Sequence, residues 1–228
     1  MPFPAQMQAG RDVESPPRTS ALALAGIIAP IWFTTLVVVQ GFLQPDYGHV
    51  RMPISALAAW PTGWIQSANF YVTGVLTIVF ASALHRGVQP TPRGGVGTTF
   101  LGLGGVGIVL AGLFPWKMVD GVPTETPPHV VGAIMAFACT GIGVIALSRR
   151  MRADGHWRDL ATYTLWSGIA VLVLFVAVGF FAIGDGTPLH PWAGLLQRVL
   201  CAVWFTWLIA AAIRLRAVFR QPIVARTA

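Results

Sequence analysis

The sequence has little charge and almost no cysteine. Asp, Glu, Lys and Arg make up 10% of its 228 residues, whereas a soluble domain carries about a quarter. The hydrophobic fraction is 55%. These values exclude an ordinary soluble domain and predict an integral membrane protein. The 2 cysteines, Cys139 and Cys201, fall inside apolar stretches, so we expect two small buried residues and no structural disulfide.

Six apolar stretches are long enough to cross a bilayer as helices, which takes about 20 residues each. They are Ala21–Leu43, Gly63–Leu84, Val96–Pro115, His129–Ser148, Ala161–Ile183 and Trp192–Ile213. The first is too long for a signal-peptide core, so we expect it to be retained. The prediction is an all-α bundle of six transmembrane helices over residues 21–213. A disordered tail at 1–20 and a basic tail at 214–228 flank it.

The basic residues orient this bundle. Of the 15 Lys and Arg residues, all but Arg51, Lys117 and Arg198 fall on one side of a six-span layout. The positive-inside rule then places both termini in the cytoplasm, for a multi-pass protein of the inner (plasma) membrane. The basic balance follows from this topology and from contact with anionic lipid headgroups. No basic groove interleaved with aromatic residues is present, so we do not expect nucleic-acid binding.

The most chemically diverse stretch is Gln44–Phe70, between the first two spans. An acid, a histidine, a base and a serine lie close together there: Asp46, His49, Arg51 and Ser55. We take Asp46 and Ser55 as candidate catalytic residues. For Ser55 the alternative, which we prefer, is a cap on a short helix that ends before Pro61.

Each of the three predicted external loops carries an acid followed by a histidine. The pairs are Asp46/His49, Asp120/His129 and Asp185/His190. One hypothesis is a zinc site formed by His49, His129 and His190, because three imidazoles and an open position suit catalytic zinc. Asp120 and His129 are then further candidates for acid–base catalysis. The alternative is that these side chains are simply solvated at the membrane surface, since no closely spaced pair of histidines is present.

A second hypothesis needs no metal. Arg198 falls within the sixth span, where an arginine is costly unless it reaches the surface or meets a partner. With Arg51 and the nearby acids it would form a polar network that seals the bundle or binds an anionic headgroup. Asn69 in the second span should find a partner across the bundle. The full set of candidate substrate-binding residues is Tyr47, Arg51, Asn69, Gln197 and Arg198.

The third span is rich in glycine. Gly97, Gly104 and Ala111 are spaced by seven and share a face, and Gly132 and Ala136 continue a small-residue face on the fourth span. Small residues on one face let helix backbones approach closely. We expect close helix packing there, either within the chain or in a homo-oligomer formed through the third span.

The order of several short motifs resembles the bacterial family known as domain of unknown function 998. These motifs are Asp46-Tyr47, Ile54-Ser55-x-Leu57, Gly63-Trp64, Asn69-Phe70, Phe114-Pro115, Asp120, His129-x-x-Gly132 and Gly194-Leu195-x-Gln197-Arg198. The resemblance covers Ala21 to Ile213 and implies a six-span bundle with a polar site on the external side. It supplies no reaction. The chain departs from the family pattern between Pro115 and Asp120, where the acid often lies closer to the proline.

Three functions are compatible with these features. The first is an external polar site that binds, and in a stronger form processes, a lipid or a lipid-linked headgroup, with membrane lipids as the partners. The second is a small-solute or proton-coupled transporter, which would need polar residues continuing to the cytoplasmic side. The third is a non-catalytic scaffold or partner subunit.

Overall fold

The computed structural model describes residues 20–91, 94–183 and 186–220, and these form a bundle of six long helices. The tail predicted at 1–20, apart from Ser20, lies outside these ranges, as do Asp185 and residues 221–228. The helices are α1 (Ala25–Leu43), α2 (Gly63–Gly87), α3 (Gly95–Leu113), α4 (Pro127–Arg152), α5 (Arg158–Phe181) and α6 (Ala193–Arg220). Each belongs to a segment long and apolar enough to span a membrane. The predicted six-span, all-α membrane bundle is confirmed.

The helices pack in a closed ring. Each helix contacts the next along the chain, and α6 returns to pack against α1. Each helix satisfies its own backbone hydrogen bonds, as lipid requires. The helix ends agree with the predicted spans to within a few residues, except that α6 continues through Arg220, past the predicted boundary at Ile213. Leu215 and Val218 are buried in this extension.

Pairs of glycines bring the backbones of consecutive helices together from α2 to α5. Gly74 of α2 lies against Gly105 of α3, and Gly107 of α3 lies against Gly132 of α4. Three further contacts of this kind join Gly97 to Gly143, Gly104 to Ala136 and Gly141 to Gly168. A Cβ atom at Gly105 would lie 2.7 Å from the Gly74 carbonyl oxygen. The small-residue face predicted on the third span therefore packs within the chain.

The end of the bundle that holds residues 44–62 is called the outer end here, following the predicted orientation. A 3₁₀ helix, Ile54–Ala59, is buried there between the helices. A short antiparallel hairpin of β1 (Lys117–Val119) and β2 (Val122–Thr124) joins α3 to α4. The sequence predicts an external loop at this position, and the structure forms a hairpin there. A second 3₁₀ turn, His190–Trp192, leads into α6.

The opposite, inner end is closed by a buried arginine. The guanidinium of Arg150 donates hydrogen bonds to the carbonyl oxygens of His85, Val88, Gln89 and Gly94, at the end of α2 and in the connection to α3. The carbonyls of His85, Val88 and Gln89 have no further helical turn to bond to, so the arginine caps the end of α2 from outside.

Two residues of the next connection complete this cap. The Asp154 carboxylate accepts a hydrogen bond from the Gln89 amide at 2.8 Å. The Trp157 indole donates to the Gly87 carbonyl at 3.1 Å. Asp154 and Trp157 are both buried, so the connection between α4 and α5 is fixed over the end of α2.

Candidate functional site

Arg198 holds the first outer connection against α6. One terminal nitrogen, Nη2, donates to the Tyr47 hydroxyl at 2.9 Å and lies 3.4 Å from His49 Nδ1. The other, Nη1, donates to the carbonyls of Gly194 at 3.0 Å and Met52 at 3.4 Å. The guanidinium also lies 5.6 Å from the centre of the Tyr47 ring, a cation–π distance. The structure thus brings together three sequence-predicted residues: Tyr47, His49 and Arg198.

Tyr47 is the buried member of this group. Its hydroxyl lies 3.1 Å from the carbonyl oxygens of both Met52 and Pro53, to which it donates. Burial raises the pKa of Tyr47, and the neighbouring Arg198 charge partly offsets this increase. The phenol is therefore neutral at physiological pH and serves as a hydrogen-bond donor to the loop.

The two predicted catalytic acids do not join this group. Asp46 is exposed. Asp120 is exposed at the tip of the β-hairpin, with φ of 51°, and Gly121 follows with φ of 79°. Asp-Gly with two left-handed residues is the preferred pair for a tight hairpin turn. The position of Asp120 is thus explained by the turn, and a catalytic role for either acid stays a prediction.

Ser55 and Gln197 meet inside the outer end. Gln197 Oε1 accepts a hydrogen bond from the Ile54 amide at 2.5 Å, and its Nε2 donates to the Ser55 hydroxyl at 3.4 Å. Both side chains are buried. Gln197 satisfies a free amide at the start of the 3₁₀ helix, so it performs the capping that we expected of Ser55. Ser55 lies one residue inside that helix.

Asn69 is buried on α2 and finds the partner across the bundle that its depth requires. Its amide donates to the Phe33 carbonyl of α1 at 3.2 Å and lies 3.4 Å from Gln66 Oε1. With Thr73 and Thr77, these two amides form a polar stripe on the buried face of α2. Both hydrogen-bond partners of Asn69, Phe33 and Gln66, belong to the helix bundle itself. A substrate-binding role for Asn69 stays a prediction.

His129 begins the buried part of α4 and is 1% exposed. Its Nδ1 lies 2.9 Å from the Ala111 carbonyl and 3.1 Å from the Phe114 carbonyl, both at the end of α3. Since both partners can only accept, Nδ1 carries the proton. In a neutral ring the other nitrogen, Nε2, then has a free lone pair. His129 lines a small internal cavity, which we call the chamber.

The chamber measures about 40 Å³ and lies at the centre of the outer half. Its polar lining consists of uncharged groups together with the imidazole. They are Ser55, Thr73, His129, Gln197, Cys201 and Trp204. Phe33, Phe70 and Phe137 contribute apolar walls.

Two larger spaces lie beside the chamber. The outer cleft, about 410 Å³, lies between the first outer connection and the hairpin and is lined by Arg51, Trp116, Glu125 and His190 among others. The lateral cavity, about 260 Å³, lies between the outer halves of α4, α5 and α6. Burial raises the pKa of Glu125, which borders both.

The three spaces are contiguous. Trp116, Glu125 and Ile183 line both the outer cleft and the lateral cavity. Ser55 and Gln197, with Ala133 and Phe137, line both the lateral cavity and the chamber. The outer cleft, which carries Arg51 and His190, is therefore separated from the lateral cavity, and that cavity from the chamber, only by shared side chains.

The three predicted zinc ligands have different surroundings. His49 packs on Tyr47 and Phe42, His129 lines the chamber and His190 borders the outer cleft. Within the described ranges, no group of three or more His, Cys, Asp or Glu side chains is placed to hold a metal ion. The zinc site stays a prediction without support from this geometry.

Four residues that line these spaces were not predicted from the sequence: Thr73, Trp116, Glu125 and Trp204. Each is a single polar or aromatic residue in or beside an apolar stretch, and none belongs to a motif named above. The period of α2 was the available signal for Thr73: Asn69, Thr73 and Thr77 recur every four residues and share a face.

The fold defines an integral membrane protein with six spans. The family model described as "Protein of unknown function (DUF998)" matches residues 27–214. The chain belongs to this family, as its motifs predicted. Comparison with curated proteins and comparison with solved structures each found no match.

Proposed function

We propose that the protein binds a lipid or lipid-linked molecule at its outer end, with the headgroup in the outer cleft and a hydrocarbon chain in the lateral cavity. The observation that carries this proposal is the shared wall of Trp116, Glu125 and Ile183 between a cleft that holds Arg51 and His190 and a cavity whose other walls are mainly aliphatic and aromatic side chains. An amphiphile has the same two parts joined in the same order.

The outer cleft offers groups suited to a polar headgroup. Arg51 is exposed and supplies a positive charge. The indole N–H of Trp116 is buried without a hydrogen-bond partner among the described residues. An N–H of this kind is stabilised by a ligand oxygen. These donors favour a headgroup with phosphate, carboxylate or hydroxyl oxygens.

The lateral cavity offers a path for a chain from the bilayer. Its walls include Val130, Phe137, Phe175 and Leu200. Phe180, also in its wall, is 74% exposed, so the cavity opens at the side of the bundle, where lipid surrounds a membrane protein. A chain can therefore lie partly in the cavity and partly in the bilayer.

Processing of the bound molecule is the stronger form of this proposal. It would draw on the Ser55 hydroxyl and on Nε2 of His129, which both border the chamber beyond the lateral cavity. The buried position of Ser55 and its bond from Gln197 favour a structural role for that hydroxyl. Binding is therefore the function that the geometry supports best.

The test uses the full chain in nanodiscs that contain lipids with a photoreactive group in the acyl chain. Gly179 lines the lateral cavity, and a Cβ atom there meets no other atom within 4 Å. Gly179→Leu should fill the cavity without disturbing the fold and lower crosslinking to α4 and α5 several-fold. Gly102→Leu is the matched control, since a Cβ at Gly102 also meets nothing and Gly102 borders none of the three spaces.

A second arm tests the headgroup. Arg51→Gln should weaken retention of phosphatidylglycerol more than that of phosphatidylcholine, because it removes a positive charge from the cleft. Lys117→Gln, which removes an exposed charge from the nearby hairpin, is its control. In the first experiment, equal crosslinking of the Gly179→Leu and Gly102→Leu variants would contradict the proposal.

A further inference from the structure

The chamber contains polar atoms that the protein leaves unsatisfied. Thr73 Oγ1 and Trp204 Nε1 have no hydrogen-bond partner among the described residues. Their side chains are 0% and 3% exposed, and both line the chamber. Buried polar groups in proteins are nearly always hydrogen-bonded, to ordered water where no protein group is available.

The donors and acceptors in the chamber are complementary to water. The Trp204 indole can only donate, whereas Nε2 of His129 can only accept when Nδ1 carries the proton. The Thr73 hydroxyl can do either. A water molecule that accepts from the indole and donates to the imidazole satisfies both groups, and the hydroxyl completes its coordination.

The size of the chamber agrees with this occupancy. A water molecule needs at least about 10–15 Å³ of such space and two to four polar partners. The chamber measures about 40 Å³, which is enough for roughly two or three waters by that measure. The Ser55 hydroxyl and the Gln197 amide border it as well and provide further partners.

We infer that the chamber is a binding site for a small cluster of ordered waters, held by Thr73, Trp204 and Nε2 of His129. The site is neutral apart from any charge on the imidazole, so it selects water or a hydroxyl group over a phosphate or carboxylate. The bound water lies against an imidazole that keeps a lone pair for it. This inference does not rest on lipid binding at the outer cleft.

The direct test is radiolytic labelling of the full chain in nanodiscs, in which X-rays generate hydroxyl radicals from water and mass spectrometry locates the oxidised side chains. Bound water labels buried neighbours. We expect oxidation of Trp204 several-fold above that of Trp207, which is also buried, at 0% exposed against 3%, but does not line the chamber. Oxidation of Trp204 no greater than that of Trp207 would overturn the inference.

A substitution gives a test with opposite signs. If water fills the chamber, Thr73→Val removes one of its partners and lowers the Tm. If the chamber is dry, the same change removes an unsatisfied hydroxyl and raises the Tm. Thr77→Val is the matched control, because that hydroxyl bonds to the Thr73 carbonyl at 2.8 Å and does not line the chamber.

The two measurements separate this site from the lipid site. A Thr73→Val variant with a raised Tm would overturn the water site and leave the crosslinking result unaffected. Conversely, the Gly179→Leu change lies in the lateral cavity and does not alter the residues that hold water. Each proposal therefore fails on its own experiment.

Discussion

Arg150 and Arg198 both lie in long helices, at opposite ends of the bundle, and the protein treats them differently. Arg150 is 5% exposed, and its hydrogen bonds run to four backbone carbonyls. Arg198 is half-buried, and its partners include two side chains, Tyr47 and His49. The inner arginine closes the bundle, whereas the outer one fastens a loop.

The difference extends to the surroundings of each arginine. At the inner end, Asp154 and Trp157 complete the hydrogen bonds that Arg150 begins. At the outer end, three contiguous spaces open beside the loop, and Thr73, Trp116 and Trp204 keep unsatisfied polar atoms among the described residues. Saturated hydrogen bonding is typical of a structural network, and unsatisfied groups beside cavities are typical of a binding site. The outer end is therefore where we expect ligands.

The largest effect should come from breaking the inner network. Arg150→Leu leaves buried carbonyls without donors and removes the positive charge that faces Asp154. Loss of one partner from a buried charged network costs about 3–5 kcal/mol. We expect a large fall in the Tm of the protein in mild detergent. Arg149→Leu, at an exposed neighbouring position, should change the Tm little, and equal effects of the two substitutions would refute the closing role.

A smaller and more local effect should follow from Arg198→Leu. Hydrogen bonds from a charged group contribute about 1.5–3 kcal/mol each when buried, and solvent reduces this value at a half-buried position. We expect faster amide exchange at residues 46–53, measured by mass spectrometry, with unchanged exchange at the inner end. Arg51→Leu is the control on the same face. Faster exchange throughout the bundle would show that Arg198 supports the whole fold.

The smallest effect concerns pH at the outer cleft. Burial raises the pKa of Glu125 above its ordinary value of 4.5, so the folded state binds this proton more tightly than the unfolded state. The contribution to stability is present below the unfolded pKa and is lost as pH rises through the folded pKa. Since Glu125 is partly exposed, we expect roughly 0.5 kcal/mol or less.

The check for this pH effect is Glu125→Gln, which removes the titrating group. Its Tm should fall less than that of the unchanged chain as pH rises from about 4 to about 7. Identical profiles of Tm against pH for the two proteins would contradict the raised pKa of the Glu125 carboxyl.

The transporter alternative finds no support in the described part of the bundle. The three contiguous spaces and the unsatisfied groups that line them lie in the outer half, while Leu84, Leu147 and Met151 fill the inner half and are fully buried. Arg150 then closes the inner end. Transport and homo-oligomer formation stay predictions, and the glycines on which the latter was based pack inside the monomer.

The six spans were predictable because lipid imposes one requirement on every stretch that crosses it. A helix must satisfy its own backbone and present apolar side chains, and both properties can be read from composition over about 20 residues. The packing of Gly104 against Ala136 could also be predicted from the sequence, since spacing by seven places small residues on one face of a helix.

The candidate site was harder to predict from the sequence because it depends on contacts between residues that are distant along the chain. Arg150 stands in a run of basic residues, and only the fold shows that it is buried while Arg149 is exposed. The sequence predicts Asp120 as a catalytic acid, whereas in the structure its position is explained by the Asp-Gly turn of the hairpin. The three histidines occur at similar loop positions, but the fold gives each a different environment. The burial of Arg150 and the surroundings of the three histidines depend on tertiary contacts, which no local sequence pattern encodes.

The glycine pairs that join consecutive helices from α2 to α5 restrict the substitutions that homologous chains can accept. In an ordinary core contact, a larger side chain on one helix can be offset by a smaller one on its neighbour. Gly74 and Gly105 have no side chain to give up, so a methyl group gained on either helix finds no compensating change on the other. We therefore expect homologous chains to vary freely at Gly102 and Gly179 while keeping glycine at both members of each pair.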